Sequence, residues 1–384
     1  MFLDEKLLHN LVQGAAFLGS GGGGKISSGE AFIEIILSHG AGVELLTHPI
    51  SAKDQKKLAC IICDIGSISA FDPNQDNALD MAFKGLTASF FALGKIEAFF
   101  PIEIGPENTL APFVLAAKYK LPIVDGDGAA RAVPTLPLST FSVGHPTYWK
   151  PVAIASGRGD TMMVASGKLE DFDTLLRKVA QISPFDNSAS LAMWPDTIAA
   201  LTKNCIKGTI SKAIFCGMLI EGIKTKNQDQ IKKALPMVNE LNAYLIRRGR
   251  LLFKRQVERG GFSFNTTKFQ TDAGEVITVI SQNENLMAFS DRIDIPIAIA
   301  PDSICFLRSD MKPFTNSEIE YTDSLTDEYF YIIGVEANEK LRDSTIMNGF
   351  NEIIQQLRFN TKFDIPKPES IPLGDLIIGL AQGL

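Results

Sequence analysis

The sequence predicts a two-domain α/β protein: a doubly wound, three-layer α/β domain followed by a smaller, mainly-β, barrel-like one. Three observations carry this. The chain has 384 residues, and at roughly 100–200 residues per domain that length suggests two domains. Through the first part, short apolar runs at 58–65, 96–104 and 121–124 alternate with helical patterns at 78–93 and 109–119, as in βαβ units with a parallel sheet covered on both faces. From about Arg250 the runs Leu251-Leu-Phe253, Val276 to Ile280, Leu286 to Phe289, Ile295 to Ile299 and Tyr329 to Val335 are short, β-like and divided by Gly, Asn, Asp and Pro, as in a sandwich or barrel.

Taken in order, Leu3, Leu7, Leu8, Leu11, Val12 and Ala15 recur at helical spacing, so residues 3–18 read as an amphipathic helix. After a glycine run, Ser27-x-x-Glu30 reads as a capping box opening a helix that Gly40 stops. Further helices are expected at 169–182, 196–205, 209–223 and 228–247, which sets a domain boundary near residue 245: 1–245 as the α/β domain, 246–384 as the β domain, its tail packing back.

Composition bounds the function. Apolar residues make up 45% and charged residues 21%, the balance of an ordinary globular protein, and a net charge of −7 argues against nucleic-acid or anionic-membrane partners. No apolar stretch reaches the roughly eighteen residues of a membrane span. The N-terminus lacks the character of a secretory signal. Five cysteines without a framework spacing fit a reducing compartment. A cytoplasmic protein acting on a small molecule is expected, with a homo-oligomer left open.

Gly19-Ser-Gly-Gly-Gly-Gly-Lys25 spells both the dinucleotide fingerprint and most of a P-loop. Both motifs need a preceding strand, whereas a helical pattern precedes these glycines, and Ile26 stands where a P-loop has Ser or Thr. No nucleotide is expected. Gly21, Gly22, Gly23 and Gly24 read instead as a site loop that meets a small ligand by its backbone, helped by the positive end of the next helix. The alternative is a flexible connection letting two helices pack closely.

Three apolar runs end in an acid with a glycine close behind: Asp64-Ile-Gly66, Glu103-Ile-Gly105 and Asp125-Gly-Asp127-Gly128. Ligands bind beyond the carboxyl ends of strands in such sheets, so these acids are expected to share one rim, fit for general acid–base work or a hard metal ion. Asp125, Asp127 and Glu103 are the catalytic candidates, and Asp64 and Asn108 flank the ligand, with an N-cap of the following helix as the structural alternative for Asn108. Arg131 either orients a substrate carboxylate or clamps the loop. His145 is the histidine best placed as a base or metal ligand, and a divalent ion such as zinc on Asp125, Asp127 and His145 stays open. His9, His39 and His48 read as helix or turn surface. Cys60 and Cys63, three apart in a strand, face opposite sides and are core.

Gly14-Ala-Ala-Phe-Leu-Gly-Ser-Gly-Gly-Gly-Gly24 resembles the opening motif of the S-methyl-thiohydantoin desulfurase family. Glu103-Ile-Gly-Pro-Glu-Asn-Thr109 is similar to its E-I-G-G-x-N-S. Leu121 to Gly128 and Arg131-Ala-Val-Pro134 are similar to its P-V-V-D-x-D-G-M-G-R-A-F-P-E. Gly208 to Ile214 and Gln282-Asn-Glu-Asn-Leu286 resemble later signatures. The resemblance spans most of the chain. It implies an α/β domain followed by a barrel-like one, and a link with hydantoin chemistry, as in hydantoinase and oxoprolinase enzymes. Two departures stand out: Ala129-Ala130 for Met-Gly, and Thr135 for the acid after the proline.

The reading that combines residues and resemblance is a hydrolase attacking C2 of a cyclic amide-like ring with thiol release. In it Asp125 or Asp127 activates water and the glycine amides stabilise the oxyanion. The alternatives are a non-catalytic metabolite-binding protein and, third, a nucleotide-dependent enzyme.

Overall fold

A computed structural model describes residues 1–66, 74–89, 94–144, 152–165, 168–320, 327–357 and 368–383. The N-terminal strands are β1 (Phe2–Leu3), β2 (Val43–Leu46), β3 (Leu58–Gly66), β4 (Ile96–Pro101), β5 (Ile123–Val124), β6 (Gly126–Asp127), β7 (Val152–Ala155), β8 (Thr161–Val164) and β9 (Ser188–Thr197). All but β6 join one eight-stranded sheet, ordered β1-β2-β5-β4-β3-β9-β7-β8. The β2-β5-β4-β3 core is parallel, and β9 and β7 extend it antiparallel.

Alternation along β3 explains the layering. Cys60 and Ile62 face α1 (Glu5–Leu18), α2 (Ile26–His39), α3 (Gln75–Ser89) and α4 (Ala111–Tyr119), while Ala59, Ile61 and Cys63 face α5 (Thr140–Gly144), α6 (Leu169–Gln181) and α7 (Ile198–Asn204). Period two in a strand covered on both sides yields a continuous apolar run. It also puts Cys60 and Cys63 on opposite faces, both buried and free.

Three local expectations change. The helix after the glycines starts at Ile26, and Glu30 bonds His9 and Gln13 instead of closing a capping box. Residues 188–197, which the sequence left unassigned up to 196, form β9 down the middle of the sheet. The 228–247 helix breaks into α9 (Gln228–Val238), after α8 (Thr209–Lys224), and a strand from Asn242.

That strand opens the second, antiparallel sheet. After β10 (Ile206–Lys207), which pairs with β6, come β11 (Asn242–Arg259), β12 (Phe262–Gln270), β13 (Val276–Gln282), β14 (Glu284–Ser290), β15 (Pro296–Ile299), β16 (Ser303–Arg308), β17 (Pro313–Phe314), β18 (Tyr329–Val335) and β19 (Ile371–Pro372). Their order is β15-β14-β13-β12-β11-β18-β16-β17, with β19 on β11. The sheet curls until Asn285 of β14 donates to the Ile304 carbonyl of β16 at 2.7 Å, giving it a barrel-like interior. Helix Leu373–Gln382 packs into the same core as α8 and α9. No helix among the described residues is long and apolar enough to cross a membrane.

Candidate active site

The carboxyl ends of β3 and β4 face the β13–β14 turn of the curled sheet across a narrow cleft that opens to solvent. Asp64, Glu103, Asn108, Gly23 and Gly24 line it from the N-terminal side, with Arg177 of α6 and Thr135. Asn283 and Glu284 close it from the other sheet.

Glu103 is buried where β4 ends. Its Oε1 accepts from Asn108 Nδ2 at 2.7 Å and its Oε2 from the Val133 amide at 2.8 Å. Burial outweighs these donors and pushes its carboxyl up to about 7. Asn108 does not cap α4. Its Oδ1 accepts from the Asp64 amide at 2.8 Å, so it ties the two strand ends together. Asp64 in turn accepts from Ser190 Oγ at 2.6 Å.

Glu284 faces Glu103 from the β side. It is 3% exposed and its Oε2 has no hydrogen-bond partner. Burial first, then repulsion from Glu103, raise it to about 8, against the pull of Arg131 and Arg177. Burial and mutual repulsion thus favour the neutral forms of two neighbouring carboxyls, whose titrations belong to the pair.

The glycine loop follows α1 and is wedged among protein groups from both sheets. A Cβ at Gly21 would lie 2.7 Å from Asn316 Nδ2, and one at Gly22 would collide with the Glu284 carboxylate. At Gly23 the obstacle is the Gly105 backbone, and at Gly24 it is Glu107. The glycines are therefore required by close approach of the chain to itself, with φ of +74° and +95° at Gly23 and Gly24. The Gly23 carbonyl accepts from the Glu107 and Asn108 amides. The amides of Gly23 and Gly24 donate to no described residue. The helix N-terminus expected to meet a ligand is occupied from within: the Ile26 amide donates to Glu318 at 2.6 Å, and Glu107 accepts from Lys25 and Ser28.

Asp125, Asp127 and Arg131 lie outside this cleft's lining. Both Asp125 oxygens are held by Ser211, through its amide at 3.1 Å and its hydroxyl at 2.5 Å, which caps the start of α8. Its carbonyl accepts from Gly208 and bonds His48 Nε2 at 2.8 Å. Asp127 accepts from the Ala129 and Ala130 amides and from Thr209. Burial pushes it to about 7. Arg131, 1% exposed, donates to the carbonyls of Ala132, Pro301, Asp302 and Asn285 at 2.8–3.0 Å. The three acid-ended strands thus bring Asp64 and Glu103 to one rim and turn Asp125 into a helix cap. Among the described residues no three His, Cys, Asp or Glu side chains form a metal cluster, and His145 lies outside the described residues.

Sequence reasoning missed Glu284 and Arg177. Glu284 opens β14 within the polar stretch Gln282-Asn-Glu-Asn285, whose one residue between the strands, Asn283, takes φ +57°. Arg177 reads as one charge on an amphipathic helix, and its only signal is Asp173 four residues before it.

The description "S-Me-THD-like, N-terminal domain" matches residues 6–166, and "S-Me-THD-like, C-terminal domain" matches residues 168–348. No curated protein matches this chain. The crystal structure of a protein from Chromobacterium violaceum is similar over 94% of this chain and 98% of that one, with a TM-score of 0.80 at 22% identity, which establishes the shared fold. With two successive matches running from residue 6 to residue 348, the chain belongs to the S-Me-THD-like family.

Proposed function

We propose that the protein is a hydrolase of S-methyl-thiohydantoin-type rings, and that its acid–base pair is Glu103 and Glu284. The observation that carries this reading is the pair itself: two buried carboxyls, one from each sheet, raised to about 7 and about 8 in one open cleft. General acids and bases work best when poised near the operating pH. The family's name supplies the substrate class.

In the proposed reaction the ionised member of the pair removes a proton from water as its oxygen adds to C2 of the ring. The protonated member delivers its proton to the ring nitrogen, and negative charge at the attacked centre is met by the Gly23 and Gly24 amides. The C2–S bond then breaks. Methanethiol leaves with a proton and C2 becomes a carbonyl, so one water and one S-methyl ring give one hydantoin and one thiol. Asn108 holds Glu103 in place through Nδ2, while Asp64, bonded by Ser190 behind it, shapes the adjoining wall. Behind the site Arg131 ties the N-terminal domain to the curled sheet, and Asp125 and Asp127 anchor the start of α8.

The test is incubation of the protein with an S-methyl-thiohydantoin in ¹⁸O-water. Thiol release with one ¹⁸O in the hydantoin carbonyl supports hydrolysis at C2. Tight binding of the ring without any turnover, in protein whose Glu284 is intact, would favour a metabolite-binding role instead.

A further inference from the structure

Behind the loop that leads from β6 to Val133, a second cavity of about 260 Å³ lies in the seam between the two domains, and the proposed hydrolysis makes no use of it. Its lining comes from both sides. β10 and α8 supply Ile206 and Lys212, β16 and β18 supply Ser303 and Val335, and Glu336 follows β18. Leu241 and Leu341 add aliphatic surface. Small-molecule sites favour this setting, a concavity at a domain interface with apolar walls and a few placed polar groups.

Three of the polar groups have capacity left. Ser303 is 6% exposed, and its hydroxyl bonds no described residue, whereas a buried hydroxyl is normally bonded. Lys212, partly buried on α8, makes one ion pair among the described residues, at 3.3 Å to Glu240. Glu240 is 56% exposed, and a pair with so open a partner holds the ammonium only weakly. Glu336 accepts from Ser370 at 2.6 Å through Oε1, and its Oε2 bonds no described residue. Ser303 pairs with Val335 across β16 and β18, and the Glu336 amide donates to the Asn242 carbonyl. Hydroxyl and carboxylate therefore belong to one edge of the sheet, while the ammonium comes from the helix. A ligand of one sign would leave one of these walls unanswered, and water alone finds few partners along the aliphatic surface.

We propose that this cavity binds a free aliphatic α-amino acid, with its ammonium on Glu336 and Ser303, its carboxylate on Lys212 and its side chain against Ile206, Val335 and Leu341. The occupant touches both domains at once and so stabilises the seam.

Calorimetric titration of the wild-type protein with L-leucine, L-leucinamide and 4-methylpentanoate tests this without any turnover. Leucine is expected to bind at least about tenfold more tightly than either analogue, each of which lacks one charge, and to raise the melting temperature. The preference over 4-methylpentanoate should vanish in Glu336→Gln, and the preference over leucinamide in Lys212→Met. Ala129→Met, which fills the cavity from the loop side, should abolish binding. Glu284→Gln should bind leucine as the wild type does, because the cleft takes no part. No binding of leucine by the wild type, or equal affinity for the three compounds, overturns the proposal even where a variant does not fold. So does undiminished affinity in folded Lys212→Met or Ala129→Met, or loss of binding in folded Glu284→Gln, which would place leucine in the cleft. Thiol release enters none of these outcomes, so this proposal and the hydrolase reading fail separately.

Discussion

Two regions of this molecule have the same composition and opposite character. Asp125, Asp127 and Arg131 form one group of two acids and an arginine, and Glu103, Glu284 and Arg177 form another. All six side chains are buried. In the first group the acid oxygens face amides and hydroxyls, and Arg131 spends its hydrogens on four backbone carbonyls. In the second, Glu284 Oε2 has no partner, Arg177 Nη1 has no described acceptor, and the groups border solvent. A filled set of hydrogen bonds holds a fold together. An unfilled one beside an opening is ready for a ligand.

The largest effects expected from breaking this contrast lie in the filled region. Arg131→Met strips donors from the carbonyls of Pro301, Asp302 and Asn285. At about 1–3 kcal/mol for each buried group left unmet, the loss is on the order of the whole stability of a domain. The variant should be largely unfolded by circular dichroism at 37 °C. A well-folded Arg131→Met protein would remove the distinction between the two arginines.

Gly22→Ala comes next and strikes the other region. Its Cβ drives into the Glu284 carboxylate, which must swing away. Thiol release should fall by about 10²-fold or more, the scale of a displaced acid–base group, while stability drops by only about 1–3 kcal/mol. Matching wild-type turnover in Gly22→Ala would separate the glycine loop from the chemistry.

Smaller, and specific to the raised carboxyls, is the dependence of stability on pH. Glu103, Asp127 and Glu284 hold protons in the folded state up to about 7, 7 and 8, but lose them near their ordinary values of about 4 when unfolded. Between those limits the folded state binds more protons, so stability from these groups falls as pH rises. The melting temperature should be higher at pH 5.5 than at pH 8, and Glu284→Gln should flatten that slope and melt higher than wild type at pH 8. A slope identical in both proteins would show that Glu284 ionises normally.

The smallest expected effect concerns Ala130, which takes φ +57° where the related family pattern reads Gly. An alanine in the left-handed region costs about 1–2 kcal/mol, offset by the greater freedom of an unfolded glycine. Ala130→Gly should raise stability by up to about 1 kcal/mol in a urea titration, with turnover unchanged. A clear loss of stability would mean that the Asp127–Ala130 turn gains from the methyl group.

How far the sequence speaks depends on the range of the interaction. The β3 and β4 runs, α1 and α8 are legible because burial on a regular element writes a local period. The strand Ser188–Thr197 is not, because Pro195 and its polar residues break the pattern, and its place comes from pairing with β3 far along the chain. Asp64, Glu103 and Asn108 line the cleft, as their place at or just after strand ends leads one to expect. Asp125 and Asp127 have the same local signal, but their partners Ser211 and Thr209 lie more than eighty residues away. Glu284 and Arg177 meet at the cleft only when the curled sheet closes on the N-terminal one, and the local pattern at Gln282–Leu286 does not say which surface it faces.

The measurement that bears most directly on the central claim is the rate of methanethiol release from an S-methyl-thiohydantoin by wild-type, Glu284→Gln and Asp125→Asn proteins, each normalised to its folded fraction. Release by the wild type is expected, with a bell-shaped pH profile between the two apparent values of the Glu103–Glu284 pair. Glu284→Gln should lose about 10²–10⁴-fold of that rate, and folded Asp125→Asn should keep most of it. Full activity in Glu284→Gln together with its loss in Asp125→Asn would return the chemistry to the Asp125 segment and contradict the assignment of the cleft.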